Sequence, residues 1–159
     1  MKKKKSLPKR ILLGSLLVLF AIQFVRPAKN ISSTPPGKDD MIVRFAPPPE
    51  VRRMLEVGCY DCHSNTTRYP WYSQIQPTAW WLAKHITDGK NQLNFSEFAG
   101  YSTHDQLEKL DSLVDELDHR TMPLKSFTWI HRDAIFTDAQ IKAFDQWAEG
   151  VREKIEADK

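Results

Sequence analysis

The chain opens with an uncharged run from Ile11 to Val25, ILLGSLLVLFAIQFV, set between KKKKSLPKR and Arg26-Pro27. Only Ser15 and Gln23 interrupt it, so it lacks the polar face that a surface or core helix of a soluble domain carries. A positive segment followed by an apolar one is the architecture of a secretory signal or signal anchor. Residues 1–10 therefore read as a basic cytoplasmic n-region and residues 11–25 as a signal anchor, a single N-terminal transmembrane helix. No small-x-small cleavage site follows the run, which favours an uncleaved anchor over a removed signal. Fifteen residues fall short of the roughly 20 that a bilayer core takes, a deficit that tilt and snorkelling lysines cover. Because positive residues stay on the cytoplasmic side, the expected location is the inner membrane, single-pass, with the C-terminal domain facing the periplasm.

Residues 26–49 are rich in Pro and Ser, show no helical period and read as a linker. Within it, Met41 to Phe45 is the stretch able to pack onto the C-terminal domain. Beyond Pro49 the periodicity is helical. Glu50 to Val57 forms one or two turns, and TAWWLAKHITDGK reads as a helix from Thr78 to about Gly89. T-H-D-Q at Thr103 makes a capping box ahead of Leu107, Leu110, Val114 and Leu117. T-D-A-Q at Thr137 to Gln140 repeats the device before Ile141, Phe144, Trp147 or Ala148, and Val151. Few segments alternate with period two. Residues 50–159 are thus expected to form an all-α domain of about four short helices with long loops, whose limited aliphatic core a large apolar group would complete.

Charge changes this picture only in where it sits. The 159 residues carry a formal net charge of +3, a sign that invites thoughts of nucleic acid. Residues 1–40 hold nine bases and two acids, a net of +7, and the remaining 119 residues are net −4. The basic character belongs to the tail, so no nucleic-acid partner is expected. The acids Asp105, Glu108, Asp111, Asp115, Glu116 and Asp118 read chiefly as a solvated helix face, with steering of a basic redox partner as the alternative. No Ser/His/Asp constellation, phosphate-binding Gly loop or paired-carboxylate pattern is present.

Both cysteines lie in Cys59-Tyr60-Asp61-Cys62-His63, the C-x-x-C-H spacing of c-type haem attachment. Two thiols three residues apart can join the two vinyl groups of one haem edge, and the turn delivers His63 beneath the iron as proximal ligand. Three other readings compete. A thioredoxin-like site would need a βαβ setting, a disulfide closing so small a ring restrains the unfolded chain little, and a zinc site lacks its second ligand pair. One covalent haem c accounts for His63 as well as for the thiols.

The sixth iron position has candidates in Met122, His131 and His85. Met122, in T-M-P-L between the two best-capped helices, is the first choice, because Pro123 restricts the backbone there. His104 and His119 read as solvent-facing. Trp71, Tyr72, Trp80, Trp81 and Trp129, with Phe95, Phe98 and Phe127, are candidates to wall a porphyrin, and Arg68 and Lys125 to meet its propionates.

The run CYDCHSNTTRYPWYSQIQPTAWWLAKHITDGKNQLNFSEF, with TMPL, an I-H-x-x-A stretch and a final helix carrying D-x-W, resembles the haem-binding domain family of membrane-anchored bacterial proteins related to c-type cytochromes. The similarity covers most of the chain, including the N-terminal segment that ends in Q-F-x-R-P. The resemblance implies covalent haem at Cys59 and Cys62, His63 as axial ligand and a small cytochrome c-like fold. Its M-P before a terminal helix is similar to the distal methionine arrangement of small cytochromes c. The expected function is single-electron transfer between redox partner proteins, after attachment by the c-type cytochrome maturation machinery. The alternatives are a haem enzyme or sensor, peroxidase-like, with an open or exchangeable sixth position, and a binding module in which haem is structural.

Overall fold

The computed structural model describes residues 7–158, so positions 1–6 of the basic n-region lie outside the described residues. Among the described residues every regular element is helical and none is a strand, in keeping with the all-α expectation. In chain order the α-helices are α1 (Leu7–Ile22), α2 (Met41–Phe45), α3 (Pro49–Gly58), α4 (Tyr60–His63), α5 (Thr78–Gln92), α6 (Thr103–Asp118), α7 (Lys125–Thr128) and α8 (Asp138–Ala157). Three-ten turns cover Trp71–Gln74, Phe95–Gly100 and Arg132–Ala134. The chain divides into two compact units, one of residues 7–29 with Tyr69–His85, the other of Asn30–Arg68 with residues 86–158.

In the larger unit, α6 packs along α8, and α3 meets α8 and the Arg132–Ala134 turn. The two long helices of this pair are started by capping side chains. Thr137 accepts from the Gln140 N–H while the Gln140 side chain accepts from the Thr137 N–H, the capping box the sequence predicts. The cap of α6 lies one residue earlier than expected, at Ser102, whose hydroxyl accepts from the Asp105 N–H at 3.1 Å. From these starts the apolar period buries Leu110, Leu113 and Leu117 of α6 and Ile141, Phe144, Ala148, Val151 and Ile155 of α8. The core continues through Val51, Met54 and Leu55 of α3 and through Phe95 and Phe98. Met41, Ile42 and Phe45, in the stretch read as linker, are buried in the same core, where the Phe45 and Phe98 rings meet edge to face at 6.0 Å.

The α6–α8 pair also holds a pH-sensitive group. Asp145 has a buried Oδ1 with no hydrogen-bond partner, and burial, then the nearby Asp118 charge, raises its pKa above the ordinary aspartate value of 3.8. A raised carboxylate pKa favours the protonated folded state, so this penalty on folding is full above the folded pKa and vanishes below about 3.8. Asp145→Asn is expected to raise the melting temperature at pH 7, and the gain over the parent chain should disappear in melts run below pH 3.8.

In the smaller unit, α1 buries no residue, and Leu12, Leu16, Leu17 and Phe20 are all exposed. The helix ends at Ile22 because the next residues turn to a specific task. Gln23 accepts from the Gln76 N–H at 3.0 Å and donates to the Gln76 carbonyl at 3.3 Å. The Gln76 side chain and the Trp80 indole both donate to the Val25 carbonyl, at 2.7 and 3.0 Å, and Arg26 donates to the Gln74 carbonyl. The Q-F-x-R-P segment thus docks on the loop that precedes α5. The length of α1 overturns the expected transmembrane helix and the single-pass inner-membrane placement. Among the described residues no helix is long and apolar enough to cross a membrane. Lys9 and Arg10 fall inside α1, and the uncharged helical part that remains, Ile11 to Ile22, rises only about 18 Å against the roughly 30 Å of a hydrocarbon core.

Candidate functional site

Cys59, Cys62 and His63 sit on a single turn of the larger unit. α3 ends at Gly58, and the chain re-enters helix at once as α4, with the N–H groups of Cys62 and His63 both donating to the Cys59 carbonyl, at 3.1 and 3.0 Å. The turn puts all three side chains within one short arc, each half-buried. Burial pushes the Cys59 thiol up to about 12, helped by Cys62, and the Cys62 thiol up to about 11, helped by Asp61. Both therefore remain neutral S–H groups at neutral pH. A thioredoxin-like site needs the opposite shift, toward thiolate, and the absence of strands among the described residues removes its βαβ setting as well. Nor do three or more His, Cys, Asp or Glu side chains gather anywhere among the described residues as a metal cage would require.

His63 is held by its Nδ1, which lies 3.1 Å from the Leu93 carbonyl, and a carbonyl can only accept, so Nδ1–H is the donor. Burial lowers its pKa below the usual imidazole value, while the carbonyls of Leu93 and Gly89 pull the other way, so the neutral, ligating form prevails at pH 7. Gly89 is there because the backbones come close. A Cβ on it would stand 3.0 Å from the Cys62 carbonyl oxygen and 3.4 Å from His63 Cε1. The sequence reads this glycine as a helix stop, yet α5 runs through it to Gln92.

The loop after His63 is tied down by the S-N-T-T residues. Thr67 Oγ1 donates to the Asp61 carbonyl at 2.6 Å, and Asn30 bonds both Thr67 Oγ1 and the Ser64 carbonyl. Asn65 donates to Glu97 at 2.9 Å and accepts from Asn94 at 2.9 Å. Arg68, a candidate propionate partner, instead grips both carboxylate oxygens of Asp61, at 3.0 and 3.1 Å, and the Glu56 carbonyl. Its charge serves the C-x-x-C-H turn itself.

On the far side of Cys59, the T-M-P-L loop comes against the same turn. A Cβ on Gly58 would meet Phe136 Cζ at 2.6 Å and Pro123 Cγ at 3.1 Å, so the residue next to Met122 packs on the residue next to Cys59. Met122 is half-buried. Gly58→Ala is expected to cost about 1–3 kcal/mol, read as a lowered denaturant midpoint, because Phe136 is itself only 6% exposed and cannot swing aside.

The remaining candidates divide between the units. In the larger one, Trp129 is 75% exposed, and His131 stacks on Phe127 with ring centres 4.2 Å apart. In the smaller one, Trp71 is 75% exposed, Trp80 and Trp81 are partly exposed, and Tyr72 meets the Trp71 ring edge to face. His85 lies against Trp81 at 4.1 Å and donates from Nδ1 to the Trp81 carbonyl at 2.8 Å. A cavity of about 220 Å³ in that unit, lined by Arg26, Lys29, Tyr69 and Ser73, touches none of Cys59, Cys62 and His63, and the chemistry of the thiols and imidazole outweighs it as a guide to the site. Phe95 and Phe98 belong to the core rather than to an open wall. Leu93, Gly89 and Gly58 act through a backbone carbonyl or a missing Cβ, and nothing in residue type announces them.

The thiols are neutral, paired on one turn and followed by an imidazole whose Nδ1 is held, a donor set that suits a haem. Among the curated proteins and among the solved structures no match was found. The family model of the haem-binding domain matches residues 17–150, a span that takes in the C-x-x-C-H turn, the Gln23–Gln76 docking and the T-M-P-L loop, and the chain belongs to the haem-binding domain family.

Proposed function

We propose that this haem-binding chain carries one haem c, attached through Cys59 and Cys62 with His63 as axial ligand, and that it passes single electrons between partner proteins. The observation that carries the reading is the attachment turn with His63 Nδ1 held by Leu93. Attachment would add each Sγ–H across one vinyl double bond, sulfur to one carbon and hydrogen to the other, with no net oxidation. Bound haem supplies one-electron exchange at iron. The chain's own part is to keep the imidazole from rotating, which the Leu93 carbonyl, the edge-to-face Phe95 ring and the close approach at Gly89 support. The maturation machinery for c-type cytochromes is the partner expected to make the bonds, and redox proteins the partners that use them.

Met122 is the proposed sixth ligand, supported by the packing of Pro123 against Gly58. A thioether in that place fills the second axial position and raises the reduction potential relative to two imidazoles. Met122→Ala is expected to remove the long-wavelength methionine-to-ferric-iron band from the absorption spectrum. An unchanged spectrum transfers the role to His131 or His85, and rapid binding of carbon monoxide by the parent protein would favour an enzyme or sensor instead.

A further inference from the structure

Asp40 is 1% exposed, yet only one of its carboxylate oxygens has a partner. Oδ1 caps α2, accepting from the N–H groups of Ile42 and Val43 at 3.0 and 3.3 Å, and accepts from the Tyr60 hydroxyl at 3.1 Å. Oδ2 is buried without a donor. Capping requires no buried charge, since Ser or Thr caps a helix at much lower desolvation cost. The carboxylate therefore has a use that the cap does not explain.

Tyr60 points to that use. It lies inside the attachment motif, and its hydroxyl is fixed twice, donating to Asp40 and accepting from the Ile42 N–H at 3.3 Å. Its ring stacks on Phe95 at 5.2 Å with the planes 4° apart, and Phe95 in turn meets His63 edge to face at 6.0 Å. Phe95 is fully buried, and it follows Leu93, whose carbonyl holds His63 Nδ1, by two residues. Asp40, Tyr60, Phe95 and His63 form one continuous chain of contacts, and each ring in it has a single seat.

We propose that Asp40 is a positioning residue for His63, acting through Tyr60 and Phe95, and that its buried carboxylate holds the reduction potential of the haem down. This rests on the haem reading of Cys59, Cys62 and His63. A fixed negative charge in a poorly solvated interior favours the ferric over the ferrous state, because the former carries one more positive charge.

The test uses the haem-loaded full chain and three variants, Asp40→Asn, Tyr60→Phe and the neighbouring control Asp39→Asn. All are expected to keep haem through denaturation. At a fixed ambient potential the oxidised-to-reduced ratio should fall about tenfold in Asp40→Asn and stay within about threefold in Asp39→Asn. Tyr60→Phe, which keeps the stack and loses the anchoring hydroxyl, should move the g-values of the ferric electron paramagnetic resonance spectrum. A ratio and a spectrum equal to the parent's in both Asp40→Asn and Tyr60→Phe, with only thermal stability reduced, would overturn the proposal and leave the haem reading intact. A parent chain that holds no haem after denaturation would overturn both. If Asp40→Asn does not fold, the Tyr60→Phe spectrum alone decides.

Discussion

Replacing Cys59 and Cys62 together by serine is expected to leave no haem on the denatured chain, the largest single effect this sequence offers. Cys59 and Cys62 stand on one turn, and each would form one of the two thioether bonds. A serine hydroxyl fits the space but is a far weaker nucleophile toward a vinyl carbon. Since both side chains are only half-buried and sit beside a core closed by other residues, the fold should lose no more than about 1–3 kcal/mol. Haem staining of the denatured, electrophoresed chain separates the two consequences. Staining should vanish in the double variant while its circular dichroism stays helical. Stain that persists there would refute attachment through these thiols.

Phe95→Ala is expected to cost about 3–5 kcal/mol, a large part of the roughly 5–15 kcal/mol that holds a domain together. The ring is fully buried, stacks on Tyr60 and meets His63 with its edge, so its removal opens a cavity directly beside the imidazole. Phe144→Ala supplies the comparison. That ring is also buried to about the same degree, but it packs on Trp147 in the α8 region of the core. Chemical denaturation should show similar losses in the two variants. Only Phe95→Ala should also change the ferric absorption and resonance spectra of the haem-loaded chain, because only there does the vacated space border His63. Equal spectra in both would mean that His63 is held by the Leu93 carbonyl alone.

Helix starts were legible because capping is local chemistry. The Thr137 box and the apolar stripe of α8 stand as the spacing predicts, while the α6 cap moved by one residue because Ser102 and Thr103 are equally able to cap and only the backbone chooses between them. The C-x-x-C-H turn was legible for the same reason, since a spacing of three residues closes within one helical turn. The N-terminal run shows the limit of such reading. Hydropathy counts residues from Ile11 to Val25, but the helix that forms begins at Leu7 and ends at Ile22, where Gln23 and Arg26 turn to the loop at Gln74 and Gln76. No residue count contains that pairing, which joins positions about fifty apart.

The sequence by itself determined an all-helical chain, the places where its main helices begin, and a thiol pair followed by histidine. These depend on contacts within a few residues, where side-chain chemistry leaves few alternatives. Which nitrogen of His63 is held, that Gly89 and Gly58 make room for the C-x-x-C-H turn and its neighbouring loop, and that Met41, Ile42 and Phe45 are core came from packing in three dimensions. It also put Asp40, Tyr60 and Phe95 in one chain of contacts with His63. Those facts depend on a carbonyl, an absent Cβ or a ring brought in from a distant part of the chain, and packing alone sets their distances.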